Sequence, residues 1–449
     1  MAIVLARSKA VSPARLAASE ILRRVEEGAF SSVLLASKEP ELVPADRSLC
    51  HELVLGVLRW QLYLDKIVEF YSKRKIDSLD LPVLISLRLG LYQLRFLTRV
   101  PASAAVNESV NLVHNAKLSS ARAFVNAVLR RATREPHYDP AAGVDDPIER
   151  IAIKSSHPAW LIERWANSFG FEETEAFAHA NNQTPDVAFR VVTTRATEPD
   201  VLAKLRLAGA TLEPSKVAAG AWRVSGASVL LRELAELGEI YLQDDASQFV
   251  AQVLNAQGGE RVLDLCAAPG GKATLIAGWT GDQALVVAAD LSARRLATVA
   301  KGSKLQQLKG VRLLQLDAAN DLPFMRDAFD RVLVDAPCSG TGTLRRNPEI
   351  RWRISAEDIQ YLSARQKQFL LHASRVVRPG GWLVYSTCSV EIEENEEVVQ
   401  DFIESNDHFR QIPVQADSAF SRRTWPHHDG SDGFFVAAFE RIRPACGSS

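Results

Sequence analysis

Val262-Leu-Asp-Leu-Cys-Ala-Ala-Pro-Gly-Gly-Lys272 opens as an apolar run of strand length, closes on a glycine pair and runs into a helical pattern. Glycines let backbone approach a ligand closely, and a helix start offers unpaired N–H groups beside them. Four further apolar runs follow, at Ala284–Asp290, Val311–Asp317, Arg331–Asp335 and Trp382–Ser386, with helical segments between them. Buried strands alternating with helices predict a Rossmann-like α/β domain, a doubly wound parallel sheet with its ligand beyond the strand C-termini. Gly433–Glu440 reads as a last, antiparallel strand.

The loop narrows the ligand. It is no Walker A motif, because Ala273 follows Lys272 and no glycine stands five residues before Gly271. Nor is it GxGxxG, which disfavours a dinucleotide. Asp290 ends the next strand, nineteen residues after Gly271, where a carboxylate can take both hydroxyls of a ribose. Asp317, at the third strand end, can reach a base edge. One nucleoside in a close-fitting loop without a phosphate cradle points to S-adenosylmethionine. A single strand-end acid more often caps a helix. Three in register around a glycine loop favour a site.

Two of the later strands end in cysteines: Asp335-Ala-Pro-Cys338-Ser-Gly-Thr-Gly and Tyr385-Ser-Thr-Cys388-Ser. Adjacent parallel strands bring such loops together. A lone cysteine there would usually be a small buried hydrophobe. Two thiols with Asp335 suit a harder task, methylating carbon-5 of a cytosine. That carbon is too weak a nucleophile until a thiolate adds at carbon-6 and makes the ring an enamine. A contact from Asp335 to N3 would ease the addition. A base must then take the carbon-5 proton so that the thiolate can leave.

The remainder of the 449 residues is room for about two more domains. Residues 1–135 hold 20 Lys+Arg against 13 Asp+Glu, a net +7, and the rest of the chain carries −8. A basic front suggests a nucleic-acid grip. It reads as a helical bundle: Ser12-Pro13 starts a helix that Gly28 closes, and further runs cover about 81–97, 103–116 and 119–133. Residues 135–150 form a linker with three prolines, followed by a helical piece near 158–182. Then strand 187–193, helix 198–208, strand 210–224, helix 227–236 and strand 238–242 suggest a small α+β, ferredoxin- or RRM-like module. Five cysteines without a CxxC pair exclude a disulfide framework and offer no zinc spacing, and His427-His428 lacks partners for a metal, so no metal is expected. Met1-Ala-Ile-Val-Leu-Ala-Arg lacks a signal-peptide pattern and no run of eighteen apolar residues occurs, so a cytoplasmic protein off the membrane is expected. Arg345-Arg-Asn-Pro-Glu-Ile-Arg351-Trp-Arg353 reads as an RNA contact. Glu391-Ile-Glu-Glu-Asn-Glu-Glu397 reads as a helix start.

The glycine loop, the Asp-Ala-Pro-Cys338 segment and the Ser-Thr-Cys388 segment together resemble RNA cytosine-5 methyltransferases of the RsmB/Nop2/Sun type. Phe124-Val-Asn-Ala-Val-Leu-Arg-Arg resembles the closing helix of NusB-type RNA-binding domains. The resemblance implies three parts: a NusB-like domain over 1–140, a helical linker and RRM-like module over 150–240, and a class I methyltransferase domain over 241–443. It implies that Cys266, Ala267, Ala268, Pro269, Gly270, Gly271, Lys272, Asp290, Asp317 and Asp335 hold S-adenosylmethionine. Cys388 would be the nucleophile, and Cys338 would assist product release. The implied partner is 16S ribosomal RNA, naked or in early assembly, met by a monomer. Transfer RNA as substrate, and a non-enzymatic RNA-binding assembly role, are the alternatives.

Overall fold

Helix Leu81–Phe96 is apolar on nearly every side, and Val83 through Gln93 is buried without a break. Such a helix belongs at the centre of a bundle. In the computed structural model, which describes residues 11–414 and 419–443, the helices Pro13–Glu26, Pro44–Arg59, Gln61–Ser72, Ala102–Asn115 and Arg122–Arg134 pack around it. The N-terminal heptapeptide read above and Cys446 lie outside the described residues. Arg88 crosses the bundle interior and gives Asp65 a bidentate pair at 2.7 and 2.8 Å, with Glu26 at 2.8 Å. That cluster sets one cation against two carboxylates, so the basic excess of this region lies outside it.

The chain divides into two compact units, 1–183 with 344–353, and 184–343 with 354–449. Helices Pro147–Ser155, Ala159–Phe169 and Phe171–Ala180 thus belong with the bundle. Of the expected helical linker and module, residues up to Gln183 fall in the first unit and those from Thr184 in the second. Pro147 starts a helix inside the expected linker, with Asp146 capping it through Glu149 N at 2.9 Å.

Residues 344–353 overturn a second expectation. Arg351 is fully buried in the helical unit, and its Nη1 donates to Ser156 O at 3.0 Å and Asn182 Oδ1 at 2.9 Å. Trp352 Nε1 donates to Leu58 O at 3.2 Å, and Glu349 accepts from Ser31 N at 2.8 Å. Arg353 Nη2 donates to Val25 O and Ala29 O, both at 2.6 Å. Burial first, then the neighbouring Arg59, lowers the Arg351 pKa to about 9. The segment is a structural staple, because arginines can serve buried carbonyls as readily as phosphates.

In the second unit β1 (Val187–Val191), β2 (Thr211–Pro214), β3 (Ala221–Ser225) and β4 (Ile240–Leu242) form an antiparallel sheet in the order β2-β3-β1-β4. Helices Glu198–Leu207 and Ser228–Glu236 bury Leu202, Leu205, Leu231 and Leu234 with Phe189. The order is ferredoxin-like. The single strand expected over 210–224 is a hairpin, turned at Ser215–Gly220, where Gly220 has φ +68°.

The larger sheet holds β5 (Arg261–Asp264), β6 (Leu285–Asp290), β7 (Val311–Gln315), β8 (Phe329–Asp335), β9 (Val377–Thr387), β10 (Phe409–Ile412), β11 (Ser421–Arg423) and β12 (Phe435–Arg441). Its order is β10-β12-β9-β8-β5-β6-β7, with β11 on β12. Strands β5 to β9 pair in parallel and β12 runs antiparallel to β9, as expected. Apolar cores cover both faces, helix Gly271–Trp279 on one and helix Ala356–Val376 on the other. The order reverses between β5 and β8, which opens a crevice at their C-terminal ends.

Replacing Arg351 by Ala leaves several buried acceptors short of a donor. It should cost about 2–4 kcal/mol and lower the thermal midpoint of the helical unit. An RNA-contact role would instead weaken RNA binding and leave the midpoint where it was.

Candidate active site

Strand β5 ends at Asp264 and the chain turns through Cys266–Gly270 into helix Gly271–Trp279. Gly270 has φ +109°, and an added Cβ would press on Val299 at 3.0 Å. At Gly271 a Cβ would meet Gln243 Nε2 at 2.9 Å and the Tyr241 ring at 3.2 Å. Gly271 therefore keeps open a cavity of about 170 Å³, lined among others by Asp264, Cys266–Pro269, Gly271, Lys272 and Asp335, while Gly270 lets the loop pack on Val299. Tyr241 and Gln243, at the end of the ferredoxin-like module, supply its other wall. Nothing in the residues of this module signals that it reaches the site.

Asp290 is buried at the end of β6 and accepts from Ala268 N at 3.2 Å and Ser292 N at 2.9 Å, so it braces the loop from behind. Arg295 closes the same corner, donating to Ala268 O at 2.6 Å. Asp317 lies two residues past the end of β7, and its carboxylate accepts from Ala319 N at 2.9 Å. It does not line the cavity. Asp335 is held between Lys272 Nζ and Ser386 Oγ, each at 2.7 Å. Burial is the largest influence and would lower the Lys272 pKa, but Asp335, Asp264 and Cys388 together outweigh it and the ammonium is held above its usual value.

Asp264 was not among the expected site residues, though it stands in the stretch that decided the fold. Both carboxylate oxygens are buried and neither reaches hydrogen-bond geometry, although the Cys266 backbone N–H lends some support. Burial first, and Asp335 second, push its pKa up to about 7. An unsatisfied buried acid beside an open cavity calls for a cationic or donor partner. This fits S-adenosylmethionine, whose methionyl ammonium Asp264 would take while Gly271 gives room for the rest. Burial raises the Cys266 thiol well above its usual range, so it lines the loop as a neutral wall.

Strands β8 and β9 pair with Asp335 opposite Ser386. Each then turns into a loop carrying a cysteine, and Cys338 Sγ lies 3.3 Å from Cys388 Sγ. The Cys338 pKa is raised well above its usual value, first by the hydrogen bond with Cys388 and then by burial. Either sulfur can be the S–H donor of this contact. Gly342 N donates to Cys388 O at 3.0 Å, and Gly433 N donates to Gly342 O at 2.8 Å. A Cβ on Gly342 would stand 1.9 Å from Gly433 O, so glycine is required where the two loops cross β12's approach.

A class I sheet, a nucleoside-sized loop at its switch point and paired thiols beside it define an S-adenosylmethionine-dependent RNA methyltransferase. Family models agree along the chain: the NusB family over residues 12–134, a ferredoxin-like domain of RsmF/B-like methyltransferases over 157–229, and the 16S rRNA methyltransferase RsmB/F family over 251–440. The sequence is 31% identical to the probable ribosomal RNA small subunit methyltransferase B of Bacillus subtilis, over 96% of this chain and 99% of that one. It is 33% identical to ribosomal RNA small subunit methyltransferase B of Pseudomonas putida, over 96% and 99%. The crystal structure of PH0851 superimposes with a TM-score of 0.83 at 26% identity, covering 96% of this chain and 99% of that one. The chain belongs to the ribosomal RNA small subunit methyltransferase B family, and S-adenosylmethionine is its cofactor.

Asp264 gives the cofactor site a pH dependence. An aspartate in the unfolded chain ionises near ~3.9, so between there and about 7 the native protein holds the extra proton and loses stability as pH rises. A bound ammonium favours the carboxylate and expels that proton. Cofactor affinity should therefore climb from about pH 5.5 to 7, by at most about tenfold per unit. Calorimetry in buffers of different ionisation heat should show proton release, and Asp264→Asn should abolish both effects. A flat pH profile for the unaltered protein would remove Asp264 from cofactor binding.

Proposed function

We propose that the chain transfers a methyl group from S-adenosylmethionine to carbon-5 of a cytosine in 16S, small-subunit ribosomal RNA, through a covalent cysteine–cytosine intermediate. The observation that carries this reading is the pair of thiols 3.3 Å apart at the ends of neighbouring parallel strands, beside the cofactor loop. One thiol suffices for a structural role. Two, in contact, suit a reaction that needs a nucleophile and then a base.

Cys388 is the proposed nucleophile and adds to carbon-6 of the ring. Asp335, fixed by Lys272 and Ser386, faces the N3 edge as an anion and stabilises a ring protonated at N3, which accepts the thiolate more easily. The cofactor supplies an electrophilic methyl group to carbon-5. Cys338 waits as the thiol, because its bond to Cys388 is the largest cause of its raised pKa. Once the Cys388 sulfur is bonded to carbon-6 it is a neutral thioether and a weaker acceptor, so Cys338 gives up its proton to solvent more easily. It can then take the carbon-5 proton, after which the Cys388–carbon-6 bond breaks and the product leaves. The order of events follows from the coupling between the thiols.

The helical unit is the proposed RNA grip, in a monomer acting in the cytoplasm on naked or early-assembly RNA. Among the described residues no helix is long and apolar enough to cross a membrane. Between helices Ala102–Asn115 and Arg122–Arg134 lies a groove of about 460 Å³ that includes Ser103, Thr133 and the exposed Arg130 and Arg134. Cutting the unit away would not test this, since 344–353 is part of it. Charge reversal does. Arg130→Glu with Arg134→Glu should weaken RNA binding and reduce the salt slope by about one to two, as filter binding across a salt series would show. An unaltered slope would move the grip elsewhere.

The cysteines separate by the way they fail. Cys388→Ala should abolish methyl transfer and leave no covalent complex with RNA. Cys338→Ala should still add and methylate, then stall as a protein–RNA adduct that survives denaturation and runs as a slow band. Adduct from the Cys388 variant but not from the Cys338 variant would reverse the two roles.

A further inference from the structure

Glu394 and Asn395 stand in the acidic run that reads as a mere helix start, yet both are fully buried. Glu396 and Glu397 do occupy the first turn of helix Glu396–Ser405. Glu394 faces the other way, beneath the cysteine loops. Its carboxylate accepts from Ser339 N at 2.9 Å, from the Ser339 hydroxyl, and from Gln366 Nε2 at 3.0 Å. The same Gln366 Nε2 donates to Pro337 O at 2.9 Å. The residues on either side of Cys338 are thus tied to one carboxylate.

Asn395 does the same for the other loop. Its Nδ2 donates to Ser389 O at 2.9 Å, and its Oδ1 accepts from Thr387 Oγ1 at 2.6 Å. These are the residues on either side of Cys388. Ser339 Oγ and Ser389 Oγ meet at 2.9 Å and close the ring. Burial raises the Glu394 pKa, and the donors around it pull it back. A carboxylate this deep persists only where its hydrogen bonds are worth its desolvation.

We infer that Glu394 is a positioning residue which, joined to Asn395 by a single peptide bond, sets the distance between the Cys338 and Cys388 sulfurs. The inference rests on the proposed roles of the two thiols for its consequence in catalysis, but not for its geometry. Glu394 touches neither sulfur. It fixes the loop of the second-acting thiol relative to that of the first, so its loss falls on product release before it falls on methyl transfer.

The geometry can be read without RNA or cofactor. Diamide removes two hydrogens from a thiol pair, joining the sulfurs while its own N=N bond is reduced to a hydrazine. The full chain should form a Cys338–Cys388 disulfide rapidly, as peptide mass spectrometry would identify. Glu394→Ala should slow that step about tenfold, the equivalent of one charge-assisted hydrogen bond. Glu394→Gln keeps an acceptor for Ser339 N and should stay within about threefold. Thermal unfolding establishes that each variant is folded. Should Glu394→Ala not fold, Ser339→Ala, which removes the hydroxyl link alone, should slow crosslinking in the same direction. In single-turnover reactions with RNA, Glu394→Ala should accumulate the covalent adduct. A folded Glu394→Ala protein that crosslinks at the unaltered rate overturns the inference. Slow crosslinking with no adduct from Cys338→Ala instead overturns the covalent mechanism and leaves the clamp standing.

Discussion

The parallel pairing of β8 with β9 is the constraint on which the rest of the site depends. Its register sets Asp335 against Ser386, and Ala336 N then reaches Ser386 O at 2.8 Å. From that rung one chain runs three residues to Cys338 and the other runs two to Cys388. A slip of one residue would turn every side chain of one strand to the opposite face. It would part Asp335 from Ser386 and the two sulfurs from each other. The register is held by the apolar runs themselves, since Val332, Leu333, Val334, Leu383, Val384 and Tyr385 are all fully buried.

Around that rung the site is built from polar groups that have little access to water. Lys272 neutralises Asp335, Asn395 and Glu394 hold serines and threonines, and Gly342 lets two backbones touch. Asp264 stands apart among the carboxylates of the cavity, because neither of its buried oxygens has a hydrogen-bond partner. Buried polar networks that are complete rigidify a site, and the incomplete member marks where something else must enter. The same principle acts in the helical unit, where Arg88 and Arg351 are enclosed with their partners.

Much of this was legible in the residues. The apolar runs ending in acids gave the parallel sheet, and the glycine pair gave the loop, because period and backbone freedom are local properties. The two cysteines were visible for the same reason: each stands a fixed few steps past a strand end. What escaped depended on distant partners. The hairpin at Ser215–Gly220 was hidden because its turn lacks an Asn-Gly or Pro-Gly signal. Glu394 looked like one more acid in a run of five, and only its serine and glutamine partners distinguish it. Arg345–Arg353 had the composition of an RNA contact, and composition does not say whether the acceptors are phosphates or carbonyls of Ser156, Val25 and Ala29.

The placement of 344–353 also has a bearing on the order in which the protein is made. The helical unit is encoded first, but the buried Arg351 and half-buried Trp352 that complete it lie about 170 residues downstream of Gln183. At roughly 5–20 residues per second, translation takes about 10–30 s to deliver them. Until then the carbonyls of Leu58, Ser156 and Val25 must find water or a chaperone. The second unit, for its part, cannot join β8 to β9 until the same segment has passed. The Cys338 and Cys388 loops can therefore meet only on a chain that already contains the last piece of its helical unit.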